Sequence, residues 1–400
     1  MRGGSGPGGG IVGPVLHLNT EATYRGGEVQ TLGLLRELAK AGGRGFLAAP
    51  AGAPLARKAA ELGVEVASWN PRGEWDLAAA WAVLREARRF GARILHAHTA
   101  HALTPALVAA ALDPRLKVVA TRRVSFPLRS RLSRIKYGRA HVVVAVSGTI
   151  QEALEASGIA PDRIRVIHSG VDLERFRDLP GRDQARRSLH VPQGAFVVGV
   201  AAALAPHKGH ARFLSALSPR RGGFSDLHLL LAGDGPCRGD LEAMCAREAL
   251  PVRFLGHLDD LRAFYGSLDV LVLPSLSGEG SPGAVKEAAA AGVPVVASEV
   301  GGVAEILRHE REALLVPPAD SEGLWEAVHR LARDSRLREA LASGAARRIL
   351  EFGMDRMAGA YARLYADLTI PAPGGGGPST GRRETGGGDT GGRGPGPRGG

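Results

Sequence analysis

Short apolar, β-branched runs alternate with helical patterns along the first half of the chain. Helical periodicity is clearest at 28–41 and 75–90. The apolar runs lie at 11–18, 45–49, 93–98, 117–120, 141–146 and 163–168. Runs without strict polar alternation are typical of strands that helices cover on both faces of a parallel sheet. The pattern predicts a doubly wound α/β domain over residues 10–177.

The second half repeats this pattern. Its apolar runs lie at 195–202, 227–232, 252–256, 269–274, 293–298 and 313–317. They predict a second Rossmann-like domain at 195–352, after a polar linker at 178–194 that Pro and Gly interrupt. A last helix at 353–370 is expected to pack back across the domain junction. The Gly-rich segments 1–9 and 371–400 are expected to be disordered tails.

The composition fits a two-domain globular protein. Four hundred residues exceed one ordinary core. No apolar run reaches the ~18 residues needed to cross a bilayer, and the N-terminus lacks the features of a signal peptide. Cys237 and Cys245 match no metal or redox spacing. We therefore expect a cytoplasmic protein.

The net charge is +11, and the basic residues are most concentrated in an internal segment of the chain. Residues 114–141 contain nine Lys or Arg and no acid, and Phe126, Leu132 and Ile135 lie among them. This pattern suits an anionic surface, either an acidic lipid or a phosphorylated acceptor. The alternative is a solvated basic face. Aromatic residues make up only 5% and form no stacking platform, which argues against nucleic acid as a partner.

The stretch SGEGSPGAVKEAAAAGVPVVAS (277–298) carries the strongest chemical signal. It follows the apolar run 269–274, and ligands of doubly wound sheets bind beyond the carboxyl ends of strands. Ser281 suits an N-cap and Pro282 a first helical position, so a helix is predicted to start there. Free N–H groups at that start, with Gly280 and Gly283, favour a phosphate. Glu279 then lies beside the helix start, and Glu287 lies on the helix, where it can accept hydrogen bonds from sugar hydroxyls. The alternative is a helix cap with a solvated glutamate.

Two further stretches follow predicted strands, one in each domain. Lys208-Gly209 comes after the run 195–202, where a lysine and a helix start can neutralise a diphosphate. Gly26-Gly27 is predicted to lie in the loop after the first strand, directly ahead of a helix, with its backbone N–H groups open to phosphates or acceptor. The chain lacks the GxGxxG of a dinucleotide-binding turn, which argues against an NAD enzyme.

In this order the stretches resemble the retaining glycosyltransferases of family 4, which have two Rossmann-like domains facing across a cleft (the GT-B fold). The resemblance runs from about His17 to Tyr361. It is carried by RGGEVQTLGLLRELAKAG near the start, HAHTAHA at 96–102, VSGTIQEAL at 146–154, IHSGVDLERF at 167–176, HKG at 207–209, LLLAGDGP at 229–236, VRFLGHLDDLRAFYGSLDVLVLPS at 252–275 and EGSPGAVKEA at 279–288.

The resemblance implies an acceptor domain at 10–177 and a domain at 195–352 that binds a nucleotide-diphosphate sugar as co-substrate. It implies that Glu287 binds the ribose, Glu279 a hydroxyl of the donor sugar, and Lys208 the departing diphosphate. Backbone N–H groups at Gly280, Ser281 and Gly283, and at Gly26 and Gly27, would hold the phosphates. No metal or other cofactor is expected, because the lysine and the helix dipole do that work in the family.

Two positions depart from the family pattern. An arginine often precedes the Lys-Gly pair, and here Ala203 stands near its place. A histidine often follows a first-domain strand, and here Arg122 or Arg123 stands there. One of these arginines is expected to supply the missing charge or to bind an acidic acceptor.

The histidines at 96–101 allow two interpretations. His96, His98 and His101 could form a metal cluster, but no carboxylate joins them. We favour His98 as a catalytic-site residue that faces the acceptor.

The basic stretch leads us to expect a glycan or lipid-linked acceptor in cell-envelope synthesis, with peripheral contact to the anionic inner face of the cell membrane. Two alternatives stay open: a nucleotide-sugar epimerase on the same fold, and a non-enzymatic basic protein that binds membrane surfaces. Glycoside hydrolysis is disfavoured because the two glutamates do not flank one scissile bond.

Overall fold

Two parallel sheets organise the molecule, which the computed structural model describes over residues 13–217 and 226–369. The tails predicted at 1–9 and 371–400 lie outside these residues. The strands of the first sheet are β1 (Val15–Leu18), β2 (Gly45–Ala49), β3 (Val66–Ser68), β4 (Ile94–Ala97), β5 (Lys117–Arg122), β6 (Val142–Ala145) and β7 (Ile164–Val166). Their spatial order is β3-β2-β1-β4-β5-β6-β7, and every pairing is parallel.

Helices cover both faces of this sheet. They are α1 (Gly26–Lys40), α2 (Pro54–Glu61), α3 (Leu77–Phe90), α4 (Ala100–Leu112), α5 (Arg131–Arg139) and α6 (Gly148–Glu155), with a 3-10 turn at Pro161–Arg163. Local sequence sets several helix starts: the side chains of Asp76, Thr99 and Ser147 accept backbone N–H bonds at the first turns of α3, α4 and α6. Gly91 ends α3 in the left-handed region, at φ 64°.

The second sheet repeats the arrangement with six strands. They are β8 (Phe196–Ala201), β9 (Leu227–Ala232), β10 (Val252–Gly256), β11 (Val270–Leu273), β12 (Val295–Ser298) and β13 (Leu314–Val316). The order is β10-β9-β8-β11-β12-β13, again all parallel. The predicted fold class, two doubly wound Rossmann-like domains, is therefore confirmed.

The helices of the second half are α7 (Arg182–Ser188), α8 (His210–Ser215), α9 (Arg238–Arg247), α10 (Arg262–Ser267), α11 (Gly283–Ala290), α12 (Val303–Ile306), α13 (Ser321–Arg333), α14 (Ser335–Arg348) and α15 (Met354–Thr369), with 3-10 turns at Pro206–Lys208 and Ile349–Phe352. Buried aliphatic residues fill both faces of the sheet, one against α11 and α12 and the other against α8, α9 and α13.

The segment interpreted as a linker contains α7, which packs on the second domain. Arg186 of α7 is buried and donates to Asp269 Oδ2 at 2.8 Å and to the Ser267 carbonyl at 3.2 Å. Arg182 also pairs with Asp269. The buried ion pair of Arg186 and Asp269, which the half-exposed Arg182 joins, holds this segment against α10 and the start of β8.

The last helix, α15, packs on the first domain. Met354, Met357, Tyr361 and Tyr365 are buried in one cluster with residues of β1, β4, β5, β6 and α1. Gly170 and Gly33 leave room for Met354, because a Cβ on either would lie within 3 Å of it. The two chain crossings run side by side, since Val171 N donates to Phe352 O at 2.9 Å and Met354 N to Val171 O at 3.0 Å.

Within residues 13–217 and 226–369, no helix combines the length and the apolarity needed to span a membrane.

Candidate active site

The predicted site residues of the second domain lie at the carboxyl ends of its strands. Lys208 follows β8 and Glu279 follows β11, and two glycines that were not predicted, Gly301 and Gly302, follow β12. These strands are neighbours in the order β8-β11-β12, so their loops meet at one edge of the sheet.

Lys208 and Glu279 form an ion pair at this edge. The Lys208 ammonium lies 2.6 Å from Glu279 Oε1, and the side chains are 18% and 7% exposed. Ser275 Oγ donates to the same oxygen at 2.5 Å. The two residues predicted to bind the diphosphate and the donor sugar are thus brought together, although 71 positions separate them.

Glycines hold both members of the pair in place. Gly209 has φ +73°, and a Cβ there would lie 2.0 Å from the Pro274 carbonyl oxygen. Gly301 has φ +55°, and its Cβ would lie 1.7 Å from the Glu279 carbonyl oxygen, which also accepts a bond from Gly302 N at 3.0 Å. Any side chain at Gly209 or Gly301 would push the loops that carry Lys208 and Glu279 apart.

The start of α11 differs from the prediction. The helix begins at Gly283, and Pro282 occupies the N-cap without a side-chain cap. Ser281 is therefore not the N-cap; its hydroxyl instead accepts a bond from Lys286 at 3.0 Å. Proline at the cap leaves the N–H groups of the first turn without a side-chain acceptor, and Gly283 is exposed. This helix start can still receive an anion.

Glu287 lies one turn inside α11. Tyr265 of α10 donates its hydroxyl hydrogen to Glu287 Oε2 at 2.9 Å. Burial raises the pKa of Glu287, and the Tyr265 hydrogen bond partly opposes that rise. The other carboxylate oxygen, Oε1, would lie 3.8 Å from a Cβ on Gly283, so the carboxylate faces the helix start.

Gly280 makes a close contact between the domains. A Cβ there would lie 2.4 Å from the Arg123 carbonyl oxygen and 2.9 Å from Ile150 Cδ1. The prediction gave this glycine to phosphate binding, and the structure adds a second reason for it, which is the close approach of the first domain.

The first-domain side of the cleft begins at α1. The helix starts at Gly26, so Gly26 and Gly27 form its first turn instead of a preceding loop. Glu28 is buried and accepts bonds from Arg25 N at 3.0 Å and Asn19 Nδ2 at 3.2 Å. Gly26 is exposed, and a Cβ there would meet no atom within 4 Å.

Arg123, but not Arg122, joins this side of the cleft. Arg123 donates from Nη1 to the His98 carbonyl at 3.0 Å, and its Nη2 lies 3.2 Å from His98 Nδ1. Burial lowers the pKa of Arg123. Arg122 instead bonds to the Phe126 carbonyl and lies over the Tyr137 ring. Arg122 ends β5 and Arg123 follows it, and the two guanidinium groups thus contact different partners.

His98 belongs to a buried histidine cluster made of His17, His96 and His98. His17 Nδ1 lies 2.9 Å from His98 Nε2, and His96 bonds to Tyr365 and Thr121 hydroxyls, each at 2.7 Å. Burial lowers the pKa of His17 to about 3 and those of the other two well below the usual value, so all three rings are neutral.

Neutral imidazoles are the form that binds metal ions, and ring nitrogens of these three lie within 4.8 Å of one another. Most of those nitrogens are already engaged in hydrogen bonds. The third member is His17, so the grouping with His101 is wrong: His101 is exposed and lies 3.4 Å from Glu74.

A second interdomain contact involves Glu305 of α12. Its carboxylate accepts bonds from Gly148 N at 2.8 Å and Thr149 N at 3.1 Å, which are first-turn groups of α6. His168 Nε2 lies 3.8 Å from the same carboxylate. A carboxylate from the second domain therefore supplements the Ser147 cap of a first-domain helix.

Sequence reasoning missed Lys286, Tyr265, His17 and Glu305. Each acts through a contact between segments that are distant along the chain. The sequence offered a signal for Lys286 only, as a lysine inside an otherwise Ala-rich, apolar helical stretch.

Two families match the chain, one over each domain. The family described as Glycosyltransferase Family 4 matches residues 24–175, and the family described as Glycosyl transferases group 1 matches residues 195–334. All of the second-domain site residues named above lie within the second match.

Similar proteins act on different small molecules. The D-inositol 3-phosphate glycosyltransferase of Streptomyces bingchenggensis is 33% identical over 245 residues, which are 56% of this chain and 52% of the relative. The 2-deoxystreptamine glucosyltransferase of Streptomyces kanamyceticus is 32% identical over 219 residues, 53% of this chain and 56% of the relative. The chain thus spans little more than half the length of these two curated relatives.

Among solved structures, HepE of Anabaena in complex with UDP-glucose matches with a TM-score of 0.79 at 22% identity. The match covers 88% of this chain and 99% of HepE. At this identity the likeness shows the fold.

Proposed function

The chain belongs to glycosyltransferase family 4, and on that premise we propose that it transfers a sugar from a nucleoside-diphosphate sugar to an acceptor hydroxyl, with retention of anomeric configuration. One observation carries this proposal: Lys208, Glu279 and Glu287 lie around the open start of α11, at the carboxyl edge of the second sheet.

The spacing of these groups suits an extended donor. The α11 N–H groups and the Lys208 ammonium provide positive charge for a diphosphate. We assign Glu279, just before the helix start, to a hydroxyl of the donor sugar, and Glu287, further along the helix, to the ribose hydroxyls. We expect no metal, because these groups already supply the charge that a divalent ion would provide.

The reaction exchanges one bond at the anomeric carbon for another. The bond to the diphosphate oxygen breaks and a bond to the acceptor oxygen forms on the same face, while a donor phosphate oxygen takes the acceptor proton. Lys208 stabilises the charge that develops on the departing diphosphate. His98 and Arg123 are proposed to line the acceptor side, since they lie together on the first-domain edge.

We propose a glycan or lipid-linked acceptor of the cell envelope, reached peripherally at the inner face of the membrane. Support comes from an apolar and basic surface on α5 and the segment before it: Phe126, Leu132 and Ile135 are 49%, 47% and 45% exposed. A pocket of about 430 Å³ opens beside α5, lined by Trp75, Leu107, Leu132, Ile135, Lys136 and Arg139 among others.

This surface reaches the donor loops. A Cβ on Gly278 would lie 3.5 Å from both the Phe126 ring and His207. An acceptor held at a membrane by α5 would therefore approach the site from the Phe126 end. The named relatives act on a phosphorylated cyclitol and an aminocyclitol, so a soluble acceptor is the competing outcome.

A panel of UDP-, GDP- and ADP-sugars tests the donor. We expect one base to raise the melting temperature, and that donor to be consumed only when an acceptor is added. The anomeric proton coupling of the product reports retention. If no sugar nucleotide binds, the proposal fails; if the bound donor is isomerised without any acceptor, the epimerase alternative replaces it.

A further inference from the structure

Lys286 is a fully buried lysine whose hydrogen-bond partners carry no charge. Its ammonium donates to the Ser169 carbonyl at 2.7 Å and to Ser281 Oγ at 3.0 Å. Its side chain is 0% exposed. Burial lowers the pKa of Lys286 to about 7, with Glu287 opposing that shift.

Such a lysine lowers the stability of the folded protein. A buried ammonium without a carboxylate partner has lost its hydration and gained only two neutral acceptors. An apolar side chain of similar length would fill the same space without a buried charge, although the Ser169 carbonyl would then lose its bond from Lys286. The presence of a lysine at position 286 is therefore explained by a role other than stabilising the fold.

The contact between Lys286 and the Ser281 hydroxyl indicates a role for Lys286. An ammonium has only donors, so the Ser281 oxygen must accept from Lys286 and its own hydrogen must point away from it. Ser281 is partly exposed, next to the open start of α11, and no protein acceptor for that hydrogen occurs within 13–217 and 226–369. The hydrogen is thus free to bond to a group in the cleft.

The second partner, Ser169, links the helix to the domain junction. Gly170 exchanges two bonds of 2.8 Å with the Gln30 amide of α1. Val171 pairs with the chain beside Gly353. Lys286 therefore links the start of α11 to residues 169–171, where the chain crosses from the first domain to the second.

We propose that Lys286 is a positioning residue of the donor site, which orients the Ser281 hydroxyl as a hydrogen-bond donor to a phosphate oxygen of the nucleotide sugar. This inference rests on the proposed function. The phosphate would be held by the α11 start, Lys208 and this hydroxyl, and the hydroxyl supplies one of the hydrogen bonds lost where Ala203 stands in place of the usual arginine.

Charged groups near Lys286 affect how readily its ammonium loses a proton. Glu287 lies next to it on α11, with Arg175 acting on Glu287. His168 lies on the Ser169 segment, with Glu305 and Arg348 acting on it. A bound diphosphate favours the ammonium, and deprotonation lets the Ser281 hydrogen turn toward the amine. Donor affinity should therefore fall as the pH rises through about 7.

The test measures binding of UDP-, GDP- and ADP-glucose by calorimetry to wild type, Lys286→Met, Ser281→Ala and the double variant. Lys286→Met should bind the wild-type donor about tenfold more weakly, because a charge-supported hydrogen bond is lost. Its melting temperature should stay close to that of wild type, because the removal of a buried charge offsets the loss of the bond to the Ser169 carbonyl. The double variant should bind as weakly as either single variant, and the fall in affinity above pH 7 should disappear in Lys286→Met.

Lys40→Met, on the exposed end of α1, is the matched control and should bind like wild type. Wild-type affinity in Lys286→Met, or additive losses in the double variant, would overturn the inference while the proposed function stands. A lower melting temperature with unchanged affinity would show a merely structural lysine. Failure of the wild type to bind any of the three donors would overturn the proposed function, and this inference with it.

Discussion

The Lys208 ammonium lies 2.6 Å from Glu279 Oε1, across 71 positions of sequence. Each is the other's charged partner at the edge where the donor is proposed to bind. A donor must therefore share or replace this ion pair, since its diphosphate competes for the lysine and its sugar hydroxyls for the carboxylate. The pair sets the positions of both groups before the donor arrives.

Lys208→Met should lower kcat/KM about 100-fold, mostly through kcat, because the lysine stabilises charge that develops on the departing diphosphate. Steady-state kinetics with the donor found in the panel measures this. Lys40→Met removes an exposed lysine and should leave the kinetics unchanged. A Lys208→Met enzyme with wild-type kcat would contradict the assignment.

Glu287→Gln should weaken donor binding about tenfold, because an amide accepts hydroxyl hydrogen bonds less strongly than a carboxylate. Tyr265→Phe keeps the charge of Glu287 and removes the Tyr265 hydroxyl, which bonds to Glu287 at 2.9 Å and to the Ala284 carbonyl at 3.4 Å, so its effect should be smaller. Calorimetry on both variants compares them, with Glu242→Gln on the exposed face of α9 as the control. Equal affinity in Glu287→Gln and wild type would remove Glu287 from the donor site.

Glu305→Ala should reduce the free energy of unfolding by about 1–2 kcal/mol, since the start of α6 loses a carboxylate that accepts two backbone N–H bonds. It should also lower kcat/KM, because that contact joins the domains beside the cleft. Urea denaturation and kinetics measure the two effects, with Glu242→Ala as the control. If neither quantity changes, the Glu305 contact is not maintained in solution.

The buried histidines predict loss of stability in acid. Their folded pKa values are lowered, His17 to about 3, while in the unfolded chain they bind protons near pH 6.5. Below pH 6.5 the unfolded state therefore binds more protons, and stability falls toward pH 3 by about 1.4 kcal/mol per pH unit for each such histidine.

Melting temperatures between pH 7 and pH 4 measure this slope. His17→Gln should make the slope shallower, whereas His101→Gln, at an exposed site on α4, should leave it unchanged. Equal slopes in wild type and His17→Gln would contradict the buried, neutral state of His17.

The surface on α5 predicts binding to anionic vesicles. Wild-type protein should float with phosphatidylglycerol-containing vesicles and not with phosphatidylcholine alone, and Leu132→Asp with Ile135→Asp should abolish flotation. Leu350→Asp changes an equally exposed apolar residue of the second domain and serves as the control. Flotation without preference for anionic lipid would contradict the proposed membrane contact.

Strands of the second domain could be predicted closely from sequence, because long buried runs such as Leu227–Ala232 have few other stable environments. The edge strand Val66–Ser68 was missed. The cap of α11 was assigned wrongly: Ser281 is a favourable cap residue, but its hydroxyl is engaged by Lys286, which pattern analysis of a helix start does not consider.

The residues of the candidate site also divide into those that can be predicted from the sequence and those that cannot. Lys208, Glu279 and Glu287 follow or lie near strand ends and could be found by spacing and resemblance. His17 could not, because its meaning depends on His98, 81 positions away, and on Tyr365 at the far end of the chain. The choice between Arg122 and Arg123 likewise required the contacts of each side chain, which place only Arg123 against His98.

Because α15 packs on the first domain, the second domain is inserted within the sequence of the first. The first domain is assembled from residues up to about 170 together with 354–369, and the second domain occupies the chain between the two crossings. A fragment ending at the first crossing would expose the apolar faces of β1, β4 and α1 that α15 covers, whereas both sheet faces of the second domain are covered by its own helices. The two halves of the chain are thus unequal as folding units: the second carries its complete core in one continuous segment, and the first is completed only after the second has been synthesised.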